Sequence, residues 1–304
     1  MFNPNRSLGP KNTNSIPWGR HDDRLEIKYG DMKNFFTTLL FAITVVTATA
    51  GDAVTLRTYE VKKEQTGASS RVFIEFPTCA DSPMRRAIID FIYEGLRHHS
   101  GVDVAYPSNT CDEHAFETFV ENYTAALCRI TSEDQQDYAK TFTEEGDTYE
   151  TEWFSNLSLQ KEADTDKYVS YAFYYGEYCG GAHDDRGLST ITIRKSDGAR
   201  IADVFIEGAE DEMQPLLWKY LIATQQPEDE KEFVDDINRF LKANYDIRDH
   251  LHLPYGSIFL KPDGVHVLYQ PLEISFWAMG SPEIIIPWEA AKPFLTKEAA
   301  ALCP

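Results

Sequence analysis

The chain has 304 residues, of which 42% are apolar and 13% aromatic, and this composition is enough to bury a core in one or two domains. It carries 49 acidic and 29 basic side chains, which gives a formal charge of −20. Such a surface repels phosphate groups, so nucleic acid and anionic lipid are excluded as expected partners, whereas a basic protein would be attracted.

The N-terminal region predicts export. Residues 32–34 supply a positive charge ahead of an apolar run over residues 35–46, and small residues follow at Ala48 and Ala50. This arrangement is typical of a secretory signal, so we interpret residues 32–50 as a signal peptide that is cut after Ala50. The apolar run is shorter than the roughly 20 residues that span a bilayer, so no stable membrane insertion is expected after cleavage.

Residues 1–31 are polar and have no helical period, and we interpret them as an extension ahead of the native start at Met32. The alternative is a cytoplasmic tail before a membrane anchor, as an anti-sigma factor would need. Removing residues 1–50 takes away six basic and four acidic residues, so the net charge changes from −20 to −22. The mature protein is expected to be periplasmic or secreted.

All five cysteines follow the expected cleavage site, and export permits disulfides. Because five is odd, at least one thiol stays free or pairs between chains. Their spacing fits no zinc motif. We expect one or two bridges, and the pairing stays open among Cys79, Cys111, Cys128, Cys179 and Cys303.

The first half of the sequence predicts a small domain of two strands and two helices. The predicted elements are strands at 54–60 and 71–76 and helices that begin at Pro83 and near Asp112. Ser82 is the expected N-cap of the first helix. The polar stretch from 132 to 147 then predicts the end of a small α+β domain over residues 51–147.

The second half opens with strands and continues with helices. The predicted elements are strands at 153–159, 168–175, 188–194, 258–260, 265–269 and 283–286, and helices at 210–224, at 230–243 and from Trp288. Regular βα alternation does not occur, so the sequence predicts an α+β fold. We expect a mainly antiparallel sheet with helices packed on it, in two small subdomains, of which the second spans residues 148–304.

Two ordered sequence blocks stand out in the second half. In the first, an aromatic strand leads into Gly180-Gly181-Ala182-His183 and later into the turn at residues 196–198. The second runs from Ile258 to Pro287 and contains Ala278-Met279-Gly280. Together these blocks resemble the C-terminal domain of RsiV-type anti-sigma factors, a domain of unknown function also found in cell-wall deacetylases. The first half more loosely resembles the small α+β domain that often precedes it.

The resemblance implies a domain that binds and does not catalyse. In RsiV-type proteins this domain is a receptor for lysozyme, and in the deacetylases it accompanies a separate catalytic domain, which is absent from this sequence. The chain departs from the family pattern in carrying Cys179 inside the first block.

Five residues of the first block are the expected binding residues, namely Tyr174, Tyr178, Gly180, Gly181 and His183. Strand alternation places Tyr171, Phe173 and Tyr175 on one face, which we expect in the core. Tyr174 and Tyr178 are expected to be more exposed, and core and interface roles are equally open for them.

We interpret the glycine pair before His183 as a turn, because glycine accepts positive φ, and His183 as a structural residue bonded to neighbouring backbone. Metal binding would need three or more ligands, and the sequence supplies no partner motif. The other reading is an acid–base site in which His183 works with Asp184 or Asp185.

The sequence therefore predicts an exported, non-catalytic binding or sensor domain of the bacterial cell envelope, with no cofactor, metal or catalytic residue. Its expected ligand is a protein or another envelope component, and lysozyme is the first candidate. Two alternatives stay open, namely a cell-wall-associated hydrolase that uses His183 with Asp184 or Asp185, and a membrane-anchored anti-sigma factor.

Overall fold

The computed structural model describes residues 53–97, 101–108, 112–145 and 151–304, all of which belong to one compact unit. The predicted N-terminal extension, the predicted signal peptide and Cys111 lie outside the described residues.

A five-stranded sheet forms the centre of the described structure. Its strands are β1 (Leu56–Gln65), β2 (Ala68–Pro77), β3 (Trp153–Asp164), β4 (Tyr168–Tyr178) and β5 (Asp185–Arg194). They lie in chain order. Neighbours are antiparallel except β2 and β3, which pair in parallel from Ala68 opposite Trp153 to Ile74 opposite Leu159.

Two helices cover one face of this sheet, α1 (Pro83–Leu96) and α2 (Glu113–Glu145). Helix α1 begins as predicted, because the Ser82 hydroxyl accepts a hydrogen bond from the Arg85 amide at 3.1 Å. The inward side chains of both helices meet alternate residues of the strands in a first hydrophobic core. Its largest fully buried members include Phe76, Ile88, Ile92, Phe116, Tyr123 and Tyr171.

Helix α2 is longer than predicted. We read residues 132–147 as a polar boundary, yet the helix continues through nearly all of that stretch. Its inner face is held there by polar bonds, since the Ser132 hydroxyl donates to the Thr66 carbonyl at 2.6 Å and the Gln135 amide donates to the Thr151 carbonyl at 3.2 Å. The apolar period ends before the helix does, so this part of the prediction was wrong.

The five-stranded sheet also crosses the predicted domain boundary, because β2 and β3 pair across it. The division into residues 51–147 and 148–304 stays a prediction. The hydrophobic residues divide at another place, since a second core takes nearly all its members from residues 201–302, with Ala163 and Tyr168 added from the first sheet.

The second core lies around a smaller antiparallel sheet. The strands of this sheet, in order, are β6 (Ile258–Lys261), β7 (Gly264–Leu268) and β8 (Glu283–Pro287). The helices of this part of the chain are α3 (Glu210–Gln225), α4 (Glu230–Tyr245), α5 (Trp288–Ala291) and α6 (Lys297–Ala300). Strand β6 meets the first sheet through hydroxyl groups. Ser170 donates to the Leu260 carbonyl at 2.7 Å, and Thr192 accepts from the Leu260 amide at 3.0 Å.

The prediction of an α+β fold with a mainly antiparallel sheet is confirmed. Among the described residues, none of the helices has the length and apolar character that a bilayer crossing requires.

A buried imidazole in β7 is held between two carboxylates. The side chain of His266 is 4% exposed, with Nε2 2.8 Å from Asp263 Oδ1 and Nδ1 2.6 Å from Glu283 Oε1. Both ring nitrogens therefore lie within hydrogen-bond distance of a carboxylate oxygen. The hydrogen bond from His266 lowers the pKa of Glu283. Burial acts to raise the pKa of Asp263, but the hydrogen bond from the same ring and the other favourable interactions of the carboxylate together outweigh burial, so the pKa falls.

Gly264→Ala is expected to lower the free energy of unfolding by about 1–3 kcal/mol. A Cβ at Gly264 would lie 2.1 Å from the backbone oxygen of Ile286 in β8, so one of the two strands would have to move. The matched control is Gly176→Ala, where the nearest atom to the added Cβ is Arg186 Cγ at 4.0 Å. Urea unfolding measures the free energy of unfolding of both variants. Equal losses of this free energy for Gly264→Ala and Gly176→Ala would contradict the steric explanation.

Glu283→Gln is expected to weaken the acid dependence of stability. A carboxylate with a lowered folded pKa contributes stability above its ordinary pKa, and this is lost as the pH falls through the lowered value. Between about pH 6 and pH 3, the free energy of unfolding should thus fall more in the wild type than in Glu283→Gln. Urea unfolding across this range measures the difference, with the exposed Glu289→Gln as control. Parallel curves for wild type and Glu283→Gln would refute it.

Candidate functional site

The Gly-Gly-Ala-His segment forms the turn between β4 and β5. Gly180 and Gly181 have φ of +89° and +105°, a region that side chains with a Cβ rarely adopt. The prediction that this glycine pair serves a turn is therefore confirmed. Antiparallel pairing of Glu177 with Asp185 closes the two strands around it.

The two predicted binding tyrosines have different surroundings. The Tyr178 hydroxyl donates to the Gly181 carbonyl at 3.0 Å, and its ring stacks beside Phe154 with 6.2 Å between the centroids. Tyr178 therefore holds the turn in place. Tyr174 is half-buried, and its hydroxyl donates to Glu162 Oε1 at 2.9 Å.

Tyr174 packs where the smaller sheet covers the first one, against a cluster formed by Leu188, Phe259 and Leu268. Burial raises the pKa of its hydroxyl above the ordinary value. Tyr174 is more exposed than Tyr171 and Phe173, as expected, but it is still half-buried, because the smaller sheet covers the second face of β4 and the pattern along β4 carries no information on that cover. Tyr171 and Phe173 lie in the first core as predicted, and half-buried Tyr175 packs against it.

His183 lies on the surface in a ring stack. Its side chain is exposed, and its ring lies 4.2 Å from that of Trp277 with 16° between the planes. His183 Nδ1 is 2.9 Å from the backbone oxygen of Asp184, so the predicted bond to neighbouring backbone is present. The guanidinium of Arg186 lies 5.8 Å from the Trp277 ring centroid and donates to Asp184 Oδ2 at 2.5 Å. We call His183, Trp277 and Arg186 the aromatic platform.

Gln270 brings the two distant halves of the platform together. Its side-chain oxygen accepts from the Leu188 amide at 2.9 Å, and its Nε2 donates to the Leu188 carbonyl at 2.6 Å. This amide therefore fastens the segment before Trp277 to the free edge of β5. Trp277 itself stands in a 3-10 turn, Trp277–Met279.

Acidic groups lie near Cys179, which precedes the glycine pair in the same turn. Partial desolvation raises the pKa of the exposed Cys179 thiol, and the negative charges of Glu177, Asp134 and Asp185 raise it further. The charge of Arg186 in this region is balanced by Asp184.

The turn does not present an acid–base pair. His183 contacts the backbone oxygen of Asp184, and the carboxylate of Asp184 bonds to Arg186. A cavity of about 740 Å³ exists elsewhere, and none of these residues lines it. Within the described ranges, no group of three or more His, Cys, Asp or Glu residues is placed to hold a metal ion.

The four described cysteines, Cys79, Cys128, Cys179 and Cys303, are all free. The expected one or two bridges are therefore not shown, since no disulfide involves these four residues, and Cys111 lies outside the described residues.

Sequence reasoning missed Trp277 and Arg186. The signal for Trp277 was its place directly before Ala278-Met279-Gly280, which formed part of the resemblance. Its contact with His183 depends on long-range packing, and no local pattern indicates such a contact.

The fold defines a class of two-layer α+β protein with known structural relatives. A crystal structure of a DUF3298 family member from Bacteroides fragilis NCTC 9343 is similar, with a TM-score of 0.59 and 17% identity over 81% of this chain and 95% of that one. A DUF3298 family protein from Pseudomonas aeruginosa PAO1 matches with a TM-score of 0.49 and 15% identity, over 82% of this chain and 97% of that one.

Residues 202–289 match the family DUF3298, described as a protein of unknown function, so the chain contains a DUF3298 domain. This range includes Trp277 and most of the second core but not His183. No curated protein matches the chain by sequence. These matches show the DUF3298 domain and do not confirm the resemblance to RsiV-type anti-sigma factors.

Gly181→Val is expected to lower the free energy of unfolding by about 1–2 kcal/mol through backbone strain alone, since no atom lies within 4 Å of an added Cβ. His183→Ala should change it by less than about 0.5 kcal/mol, because the side chain is exposed. Urea unfolding of both variants gives the comparison. A loss for His183→Ala as large as that for Gly181→Val would show that His183 supports the turn.

Proposed function

We propose that the protein is an exported, non-catalytic binding domain of the bacterial cell envelope, periplasmic or secreted, whose ligand is a basic protein. Lysozyme is the first candidate. The observation that carries the proposal is the aromatic platform, a surface stack of exposed His183 and half-buried Trp277 with Arg186 against it and carboxylates near the same turn.

Aromatic and arginine side chains are the residue types that dominate binding energy at protein interfaces, because they bury much apolar area at low entropic cost. Gln270 and Tyr178 hold the two segments that carry the stack. A partner would therefore find the anchor in place and would not have to order it.

Charge supplies the second part of the argument. The predicted mature chain has a net charge of −22, and Glu177, Asp134 and Asp185 lie close to the turn. Opposite potentials speed the encounter with a basic partner and are screened by salt. The resemblance to RsiV-type proteins supplies lysozyme as the candidate, since lysozyme is basic and acts at the envelope.

The alternative of a cell-wall-associated hydrolase lacks support from the turn, because His183 makes no bond to the carboxylate of Asp184. The alternative of a membrane-anchored anti-sigma factor depends on residues 1–50, which lie outside the described residues, and stays a prediction.

Trp277→Ala is expected to weaken lysozyme binding by about ten-fold or more, because it removes the central anchor of the platform. His183→Ala should weaken it less, since Trp277 remains. Tyr255→Ala removes a fully exposed ring from another loop and serves as the control. Titration calorimetry at low and physiological salt provides the affinities.

Specific binding should weaken with salt and still persist at physiological ionic strength, and Tyr255→Ala should match the wild type. Complete loss of binding at physiological salt would show that the interaction is only non-specific charge attraction. Equal affinities of Trp277→Ala and Tyr255→Ala for lysozyme would show that the platform is not part of the binding surface.

A further inference from the structure

A cavity of about 740 Å³ lies apart from the aromatic platform. Five separate segments form its wall: Ala53 ahead of β1, the connection from β2 into α1, the turn between β3 and β4, the end of β5 with the residues after it, and residues 301–302. Its volume is within the range of small-molecule sites. Because the wall comes from distant parts of the chain, the cavity depends on the complete fold and not on one loop.

The cavity is locally basic in an acidic protein. Lys167, Arg194 and Lys195 line it, against one carboxylate, Asp166. Two of these cations are already neutralised, since Lys195 Nζ lies 2.6 Å from Asp164 and Arg194 binds Asp197 at 2.7 Å.

The third cation has a different partner. Lys167 Nζ donates to the backbone oxygen of Cys303, a neutral group, and none of the carboxylates in the described ranges forms an ion pair with it. Lys167 is exposed, and its ammonium group has two remaining donors from which an anion in the cavity beside it can accept hydrogen bonds.

The rest of the wall is largely apolar. Met84, Leu302 and several alanines contribute it, together with Cys79. Burial raises the pKa of the Cys79 thiol, so this side chain adds no negative charge at neutral pH. A ligand for this cavity thus needs one negative group for Lys167 and an apolar body for the apolar part of the wall.

We propose that this cavity binds a small amphipathic carboxylate, with the carboxylate at Lys167 and the apolar body against Met84 and Leu302. Nothing in this proposal depends on the aromatic platform, because the two sites share no residue.

Calorimetric titration of the purified protein with sodium octanoate tests the proposal, and 1-octanol is the uncharged probe of equal chain length. Octanoate should bind saturably. Octanol should bind at least about ten-fold more weakly, since the loss of one charge-assisted hydrogen bond accounts for that ratio. Lys167→Met should weaken octanoate binding by a similar factor. Lys62→Met removes the same charge from exposed strand β1 and should match the wild type.

Ala301→Trp places a large side chain in the lining of the cavity and provides a second variant, expected to abolish octanoate binding while the circular dichroism spectrum stays unchanged. Inorganic phosphate tests whether the charge alone is recognised. The proposal is overturned if octanoate and octanol bind alike, if Lys167→Met binds like the wild type, or if phosphate binds in place of octanoate.

Discussion

Strand β4 is buried on both faces, and both hydrophobic cores depend on it. Side chains alternate along a strand, so Val169, Tyr171 and Phe173 lie under helices α1 and α2, whereas Tyr168 and Ser170 face the smaller sheet. A shift of one residue in its pairing would exchange the two sets. Apolar and aromatic side chains on one side, and Tyr168 with the hydrogen-bonded hydroxyl of Ser170 on the other, thus define how the two layers are assembled on one strand.

The same register determines where the turn after β4 emerges. Pairing continues to Glu177 opposite Asp185, so the glycine pair reaches solvent at the end of the sheet. Gln270 then places the Trp277 segment against β5. The ring stack is therefore a consequence of strand pairing and of one side-chain amide, and neither His183 nor Trp277 could form it from its own local structure.

Much of the first core could be predicted, because period-two alternation in β4 and the capped start of α1 are local signals that the structure preserves. The α+β class followed from the order of strands and helices. Three features could not be predicted, and each involves contact between distant segments. Tyr174 is covered by the smaller sheet, the polar end of α2 is held by Ser132 and Gln135, and Trp277 meets His183.

The two hydroxyl bonds to Leu260 have a consequence for self-association. Strand β6 lies at the edge of the smaller sheet, and such an edge ordinarily offers unpaired amide and carbonyl groups to a strand from another molecule. Ser170 and Thr192 occupy both backbone groups of Leu260, so the midpoint of that edge has no free position for an incoming strand. The contact that joins the two layers therefore also protects the protein against edge-to-edge aggregation.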